Sequence, residues 1–191
     1  MTATARLQDL FVETGALLRG HFLLSSGLHS EQYMQCALLL ARPKIAEELG
    51  ASLGALSESV DLVVSPAMGG LIIGQEVARA LGARHYFLER DQDAKMTLRR
   101  GFTISEGERL ALVEDVVTTG KSSKEVADLI AERGGRVASW LSVVNRSGQS
   151  PAIGTAPLKS LLSVAIPSWK PETCPLCKKG EPFIKPGSRK Q

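Results

Sequence analysis

Apolar residues recur along the chain with two different periods, and the alternation between them predicts an α/β protein. Leu7, Leu10, Phe11, Ala16 and Leu17 lie on one face at helical spacing, with Gly15 as a break point. Two apolar runs, one at 22–24 and one ending in Tyr33 and Met34, flank a Ser/Gly-rich turn, which is the pattern of a hairpin. Pro43 opens a helix at its first turn, and Ile45, Leu49, Leu53 and Leu56 form the stripe of that helix. From there strand and helix patterns alternate: a buried strand at 62–64, a helix from 70 to about 81, a strand at 84–88, a strand at 110–113, a helix at 124–133 stopped by Gly134 and Gly135, a strand at 136–144 and a last strand at 161–166. Repeated strand-loop-helix units imply a mostly parallel sheet with helices on both faces.

Two of the strand-to-helix turns carry residues suited to anions. At 110–123 an apolar run meets Glu114 and Asp115, then Val116, Val117, Thr118, Thr119, Gly120, Lys121 and Ser122. A strand that delivers the chain to a helix start leaves unpaired N–H groups and the positive end of the helix dipole at one point. Gly120 permits close approach, Thr118, Thr119, Ser122 and Ser123 offer hydroxyls, and Lys121 offers charge, a set that suits a monoester phosphate. Glu114 and Asp115 would repel that phosphate, so they suit vicinal hydroxyls or a hydrated Mg²⁺ further along the same ligand. A sugar phosphate satisfies both halves. A nucleotide P-loop does not fit, because Asp115 stands where its first glycine belongs; an ordinary capped turn is the plain alternative. Ala67, Met68, Gly69 and Gly70 form a second such turn, whose bare amides suit a pyrophosphate as well as they suit a simple connection. Residues 89–102 are charged and turn-rich, either a solvated hairpin or a lid in which Lys95, Arg99 and Arg100 supply cations and Arg90 sits at the hinge. Arg146 follows a strand at its carboxyl end, where it is either a surface residue or a bidentate partner for a carboxylate.

Composition narrows the partners. The chain has 191 residues, 43% of them hydrophobic, and a formal charge of only +3, so nucleic acid is not expected as a partner. No apolar run reaches the roughly 18 residues of a membrane span, and the N-terminus lacks a signal-peptide core. With three cysteines, Cys36, Cys174 and Cys177, no even disulfide framework exists, and a cytoplasmic location is expected. Cys174 and Cys177 form half of a zinc knuckle in a tail rich in Pro and Lys, with His21, His29 and His85 far away in sequence. Completing a set would need Cys36, a histidine or a partner subunit, and no metal-ligating residues are assigned. A thioredoxin-like redox pair lacks its βαβ context.

The string at 111–123 closely resembles the ribose-phosphate loop of the type I phosphoribosyltransferases, and the resemblance extends from about Phe22 to Gly148. Phe22, Leu24, Ser26, Gly27 and Ser30, followed by Tyr33, look like the N-terminal hood of the orotate phosphoribosyltransferases, with Ser25 where one subgroup has lysine. The stretch 95–102 is similar to the lid of a subgroup without the lid histidine. The resemblance implies a single domain: a hood at about 1–40, a core at about 41–166 and a tail at 167–191. It implies phosphoribosyl pyrophosphate, bound with Mg²⁺, as donor and orotate as acceptor, in pyrimidine biosynthesis. Donor contacts would come from residues 114–122, Arg90 and residues 67–70, where Gly69 replaces a lysine of some relatives. Orotate contacts would come from Thr118, Arg146, Ser26, Gly27, Tyr33 and Met34. Glu114, Asp115, Lys95, Arg99 and Arg100 would be catalytic, and the lid would cross a homodimer into the neighbouring site. A purine phosphoribosyltransferase should lack the hood pattern and Arg146; a regulator that senses the donor should carry a DNA-binding segment.

Overall fold

Three segments of almost unbroken apolar character become the inner strands, because a parallel strand covered on both faces has no side for polar residues. In the computed structural model, which describes residues 3–24 and 26–186, these are β3 (Leu62–Pro66), β6 (Arg109–Val117) and β7 (Arg136–Asn145). In chain order the elements are α1 (Ala3–Glu13), β1 (Leu17–Leu23), β2 (His29–Met34), α2 (Cys36–Leu40), α3 (Pro43–Gly54), β3, α4 (Gly70–Leu81), β4 (Arg84–Arg90), β5 (Met96–Leu98), β6, α5 (Lys121–Glu132) and β7. They continue with β8 (Ala152–Ile153), β9 (Ala156–Ser163), β10 (Ser168–Trp169), a 3₁₀ turn at Pro171–Thr173 and α6 (Pro175–Lys178). The main sheet has seven strands in the order β5-β4-β3-β6-β7-β9-β8, parallel from β4 to β9 and closed at each edge by an antiparallel strand.

Strand alternation splits the core in two. Val63, Ala111, Val113, Leu141 and Val143 pack with α1, α2, α3 and α4 on one face, while Leu62, Val64, Leu110, Leu112 and Trp140 pack with Val126 and Ile130 of α5 on the other. A second, three-stranded antiparallel sheet, β1-β2-β10, forms the hood over the carboxyl ends of the main strands. One of its strands belongs to the tail. Further along the tail, Ile184 bonds through its N–H to the His21 carbonyl at 2.8 Å and accepts from the Leu23 N–H at 2.9 Å, so the tail runs beside β1.

The structure departs from the sequence expectations at several boundaries. Helix α1 ends at Glu13, and Ala16 and Leu17 belong to the next segment: Leu17 opens β1, and its half-buried side chain packs against the same core as Leu7, Leu10 and Phe11 of α1. Helix α2 was not expected; it occupies five residues, too few to show a period. The last long strand lies at Ala156–Ser163 rather than 161–166, because Lys159 and Ser160 interrupt its apolar pattern near the sheet edge. Helix α5 begins at Lys121, three residues before the expected start, and β6 runs on to Val117, so Glu114 and Asp115 sit within the strand rather than in a loop. Ser25 lies outside the described residues.

Candidate active site

The site forms where β3, β6 and β7 end, beneath the hood. A cavity of about 270 Å³ is lined there by Leu23, Leu24, Tyr33, Met34, Gln35, Asp115, Val116, Thr118, Arg146 and Pro186. Tyr33, Met34, Asp115, Val116, Thr118 and Arg146 were expected at the ligand, and the fold brings all six to one space. Ser26 and Gly27 are not among them: both are exposed at the tip of the β1–β2 turn, and Leu23 and Leu24 form the wall instead.

The two adjacent acids do not share a task. Neighbours in an extended strand face opposite sides, and Glu114 turns toward α5, where it is 8% exposed and accepts a hydrogen bond from the Ser123 hydroxyl. Burial first, and the nearby Asp115 charge second, push Glu114 up to about 7, although the Ser123 bond opposes the shift. Asp115 faces the cavity, and its carboxyl is also raised by burial against the pull of the amides of Val116 and of its own residue. Ser123 was expected among the phosphate donors; it is fully buried on the stripe Ser123, Val126, Ala127 and Ile130 of α5. That i, i+3, i+4, i+7 spacing could have assigned it to the inner face from the sequence.

Both anion turns are built on backbone rather than side chains. Gly120 stands at the start of α5 with φ of 72°, and a Cβ there would come within 3.3 Å of the Trp140 ring. Gly120 brings no side-chain cap, and the only side-chain bond to the first amides among the described residues is a long one, from the Lys121 N–H to the Thr119 hydroxyl at 3.4 Å, so this helix start stays open beside the hydroxyls of Thr118, Thr119 and Ser122. Lys121 is exposed, with its Nζ 4.0 Å from Glu125. In the other turn, Ala67, Met68 and Gly69 carry β3 into α4, with a cis peptide between Ala67 and Met68. A Cβ on Gly69 would lie 2.6 Å from both carboxylate oxygens of Asp115, which explains why no side chain, lysine included, fits there. The two turns therefore converge on Asp115.

Arg146 supplies the opposite charge. Its amide bonds to the Val117 carbonyl at 2.8 Å, which ties the end of β7 to the end of β6. Its Nε is buried without a hydrogen-bond partner, and no carboxylate of the described residues pairs with it. Burial lowers the guanidinium pKa, with the facing Tyr33 acting in the other direction. The Tyr33 phenol is raised chiefly by burial. An unpaired, half-desolvated cation in a cavity is costly unless a ligand anion completes it.

The charged stretch at 89–102 is a hairpin of β4 and β5 on the sheet edge. Arg90 contacts Glu125 of α5 at 2.7 Å, joining the hairpin base to that helix. Arg100 meets Glu89 at 3.2 Å and lies over the Phe87 ring. Lys95 and Arg99 are exposed and form no ion pair among the described residues. None of Lys95, Arg99 and Arg100 lines the cavity. Gln35 and Pro186 line it without having been expected, since neither carries a motif, and only the fold brings the tail there.

Comparison with known proteins places this geometry. The phosphoribosyl transferase domain matches residues 37–157, a span that contains both anion turns, Asp115 and Arg146, and the chain belongs to this family. More particular relatives follow: an orotate phosphoribosyltransferase of Carboxydothermus hydrogenoformans is 50% identical over 188 residues, covering 96% of this chain and 97% of the relative. That of Thermotoga maritima is 48% identical over 185 residues, covering 96% and 98%. The crystal structure of orotate phosphoribosyltransferase from Aeropyrum pernix matches with a TM-score of 0.70 at 26% identity, over 83% of this chain and 93% of that one. Among the described residues no helix is long and apolar enough to cross a membrane.

Proposed function

We propose that the protein is an orotate phosphoribosyltransferase, a pentosyltransferase that joins N1 of orotate to C1 of the ribose of phosphoribosyl pyrophosphate and releases pyrophosphate and orotidine 5′-monophosphate. Near-full-length relatives at about half identity carry this activity in their names. The observation that carries the acceptor is Arg146: its buried, unpartnered Nε borders a cavity walled by Tyr33, Met34 and Thr118. Orotate brings a carboxylate that completes it, and adenine or hypoxanthine does not. The site therefore favours orotate over a purine acceptor.

As the C1–O bond breaks, its electron pair leaves with pyrophosphate and the ribose becomes oxocarbenium-like; N1 then bonds to C1 and its proton is released. The reaction requires no covalent nucleophile from the protein, only position and field. Amides and hydroxyls at 118–122 hold the 5′-phosphate, Asp115 holds the ribose hydroxyls, and the turn at 67–70 holds the pyrophosphate. Glu114 acts from behind, through Ser123, by fixing the start of α5 against β6. Asp115, an oxygen donor at the junction of both turns, fits a hard cation, and Mg²⁺ bound with the donor would neutralise its pyrophosphate. The hairpin at 89–102 acts as a lid, with Lys95 and Arg99 as the cations free to reach the leaving group. We place it over the site of a second subunit in a homodimer; Met68 and Ile72, 77% and 47% exposed near the start of α4, offer an apolar surface for that contact. The free thiols suit the reducing cytoplasm, where the pyrimidine nucleotide would be made.

The test is loss of orotate absorbance in the presence of donor and Mg²⁺, with adenine, hypoxanthine and uracil in parallel. Orotate alone should turn over. Arg146→Ala should lower kcat/KM for orotate by roughly 10²- to 10³-fold, the worth of a charged bidentate pair, with little change in the KM for the donor. Turnover of a purine, or an Arg146→Ala variant as active as the parent, would overturn the acceptor assignment.

A further inference from the structure

Across the hood from the cavity, four side chains that are distant in sequence converge on a single point. His21 lies on β1, His29 on β2, and Cys174 and Cys177 on the tail, the latter in the short helix α6. His21 is 153 residues from Cys174 and 156 from Cys177, yet its Nε2 stands 3.5 Å from the Cys174 Sγ and 3.7 Å from the Cys177 Sγ. The His29 Nδ1 stands 3.2 Å from the Cys177 Sγ and 2.6 Å from the His21 Nε2. All four ligand atoms lie within 4.8 Å of one another. We propose that these residues form a closed structural zinc site, Cys₂His₂, that fastens the C-terminal tail to the hood.

The distances agree with the ion. With Zn–N of about 2.0–2.1 Å and Zn–S of about 2.3 Å, the edges of a tetrahedron are about 3.3 Å between nitrogens and about 3.6 Å between nitrogen and sulfur. Three of the four nitrogen–sulfur separations, 3.5, 3.7 and 3.2 Å, straddle that value; the two imidazoles, 2.6 Å apart, need to part by about 0.7 Å. Orientation agrees as well. The His21 Nδ1 donates to the Glu181 carbonyl at 2.8 Å, which fixes the tautomer and turns the Nε2 lone pair inward, as the second partner of a metal-bound histidine does. His21, His29 and Cys174 are 4%, 3% and 0% exposed, and the Phe183 ring covers both imidazoles at 5.8 and 5.0 Å.

Chemistry selects zinc. Two thiolates and two neutral imidazoles in tetrahedral array suit it better than a hard cation, and two thiolates balance its charge in a place where a net charge would be costly to bury. Four protein ligands leave no open position, so the role is structural. The consequence reaches the substrate cavity: the tail beyond Cys177 pairs with β1 through Ile184 and contributes Pro186 to the cavity wall. Without a metal, the same geometry would be a histidine pair sharing a proton beside two free thiols, and experiment separates the two.

The full-length chain, purified after growth with added zinc and again after reconstitution with zinc salt, is assayed by mass spectrometry of metals. One zinc ion per chain is expected, lost in Cys174→Ser, Cys177→Ser and His29→Ala and kept in Cys36→Ser. Replacing zinc by Co²⁺ in the parent chain should give thiolate-to-cobalt charge-transfer absorption and the visible bands of a tetrahedral ion. This reading also decides the matter if the variants fail to fold. A chain that binds no zinc under either condition, zinc that persists in Cys174→Ser, or a cobalt spectrum without thiolate character would each overturn the proposal.

Discussion

Glu114 and Asp115 look interchangeable as letters, and burial makes them different groups. Glu114 carries a pKa of about 7 where the ordinary value is 4.5, chiefly because its carboxyl is shielded between β6 and α5. Between those two values the folded state keeps a proton that the unfolded state has lost. Stability contributed by Glu114 is therefore full below about pH 4.5, falls as pH rises to about 7 and is flat above, a total on the order of 3 kcal/mol. His85 acts in the opposite sense. Burial lowers it to about 4 from 6.5, in keeping with an Nε2 that accepts from the Ser65 hydroxyl, so its contribution rises with pH across that window. Both proteins share His85, so the difference between parent and Glu114→Gln isolates the carboxyl. Urea unfolding at about pH 4.5 and 7.5 should show the glutamine variant gaining ~3 kcal/mol on the parent over the interval. An unchanged difference would mean that Glu114 ionises like an exposed acid.

At the scale of elements, the strand-turn-helix units were legible because their chemistry is local. The buried runs at 62–64 and 110–113 and the glycines after them carry both period and punctuation, and the structure moves their boundaries by only a few residues. The convergence of the two turns was not legible, since it depends on β3 lying beside β6. Gly69 shows this best. Its φ of −58° would accept alanine, so local conformation gives no reason for glycine there; the reason is Asp115, on a strand more than forty residues later. Gly69→Ala should therefore displace Asp115 or the turn, at an overpacking cost of about 1–3 kcal/mol. The expected result is a modest loss in thermal stability with a rise of at least about tenfold in the KM for phosphoribosyl pyrophosphate, since Asp115 and the turn amides would no longer be placed together. A variant with wild-type donor kinetics would show that the turn and Asp115 do not act on one ligand. The hood was partly legible: the hairpin was foreseen, whereas the third strand and the wall residue Pro186 come from a tail whose only clear signal was its pair of cysteines.

At the scale of the whole molecule, the proposed lid and homodimer predict that the hairpin serves the partner's site. That hairpin is anchored at the sheet edge through β4, its Lys95 and Arg99 form no ion pair among the described residues, and neither lines the cavity of its own chain. If the lid serves the partner's site, a defect in the lid and a defect in the cavity can be separated by mixing. Asp115→Asn removes the site carboxylate, and a Lys95→Ala, Arg99→Ala double variant removes the lid cations. Each homodimer should be nearly inactive. When the two chains are unfolded together and refolded at equal concentration, about half of the dimers are mixed. In each mixed dimer the site with an intact Asp115 receives the intact lid of the other chain, so about a quarter of all sites recover. If each lid closes over its own site, every site in the mixed dimer carries one lesion and no activity returns. A recovery near one quarter, measured as orotate consumption, establishes exchange; its absence, with mixed dimers verified by mass, assigns the lid to its own chain.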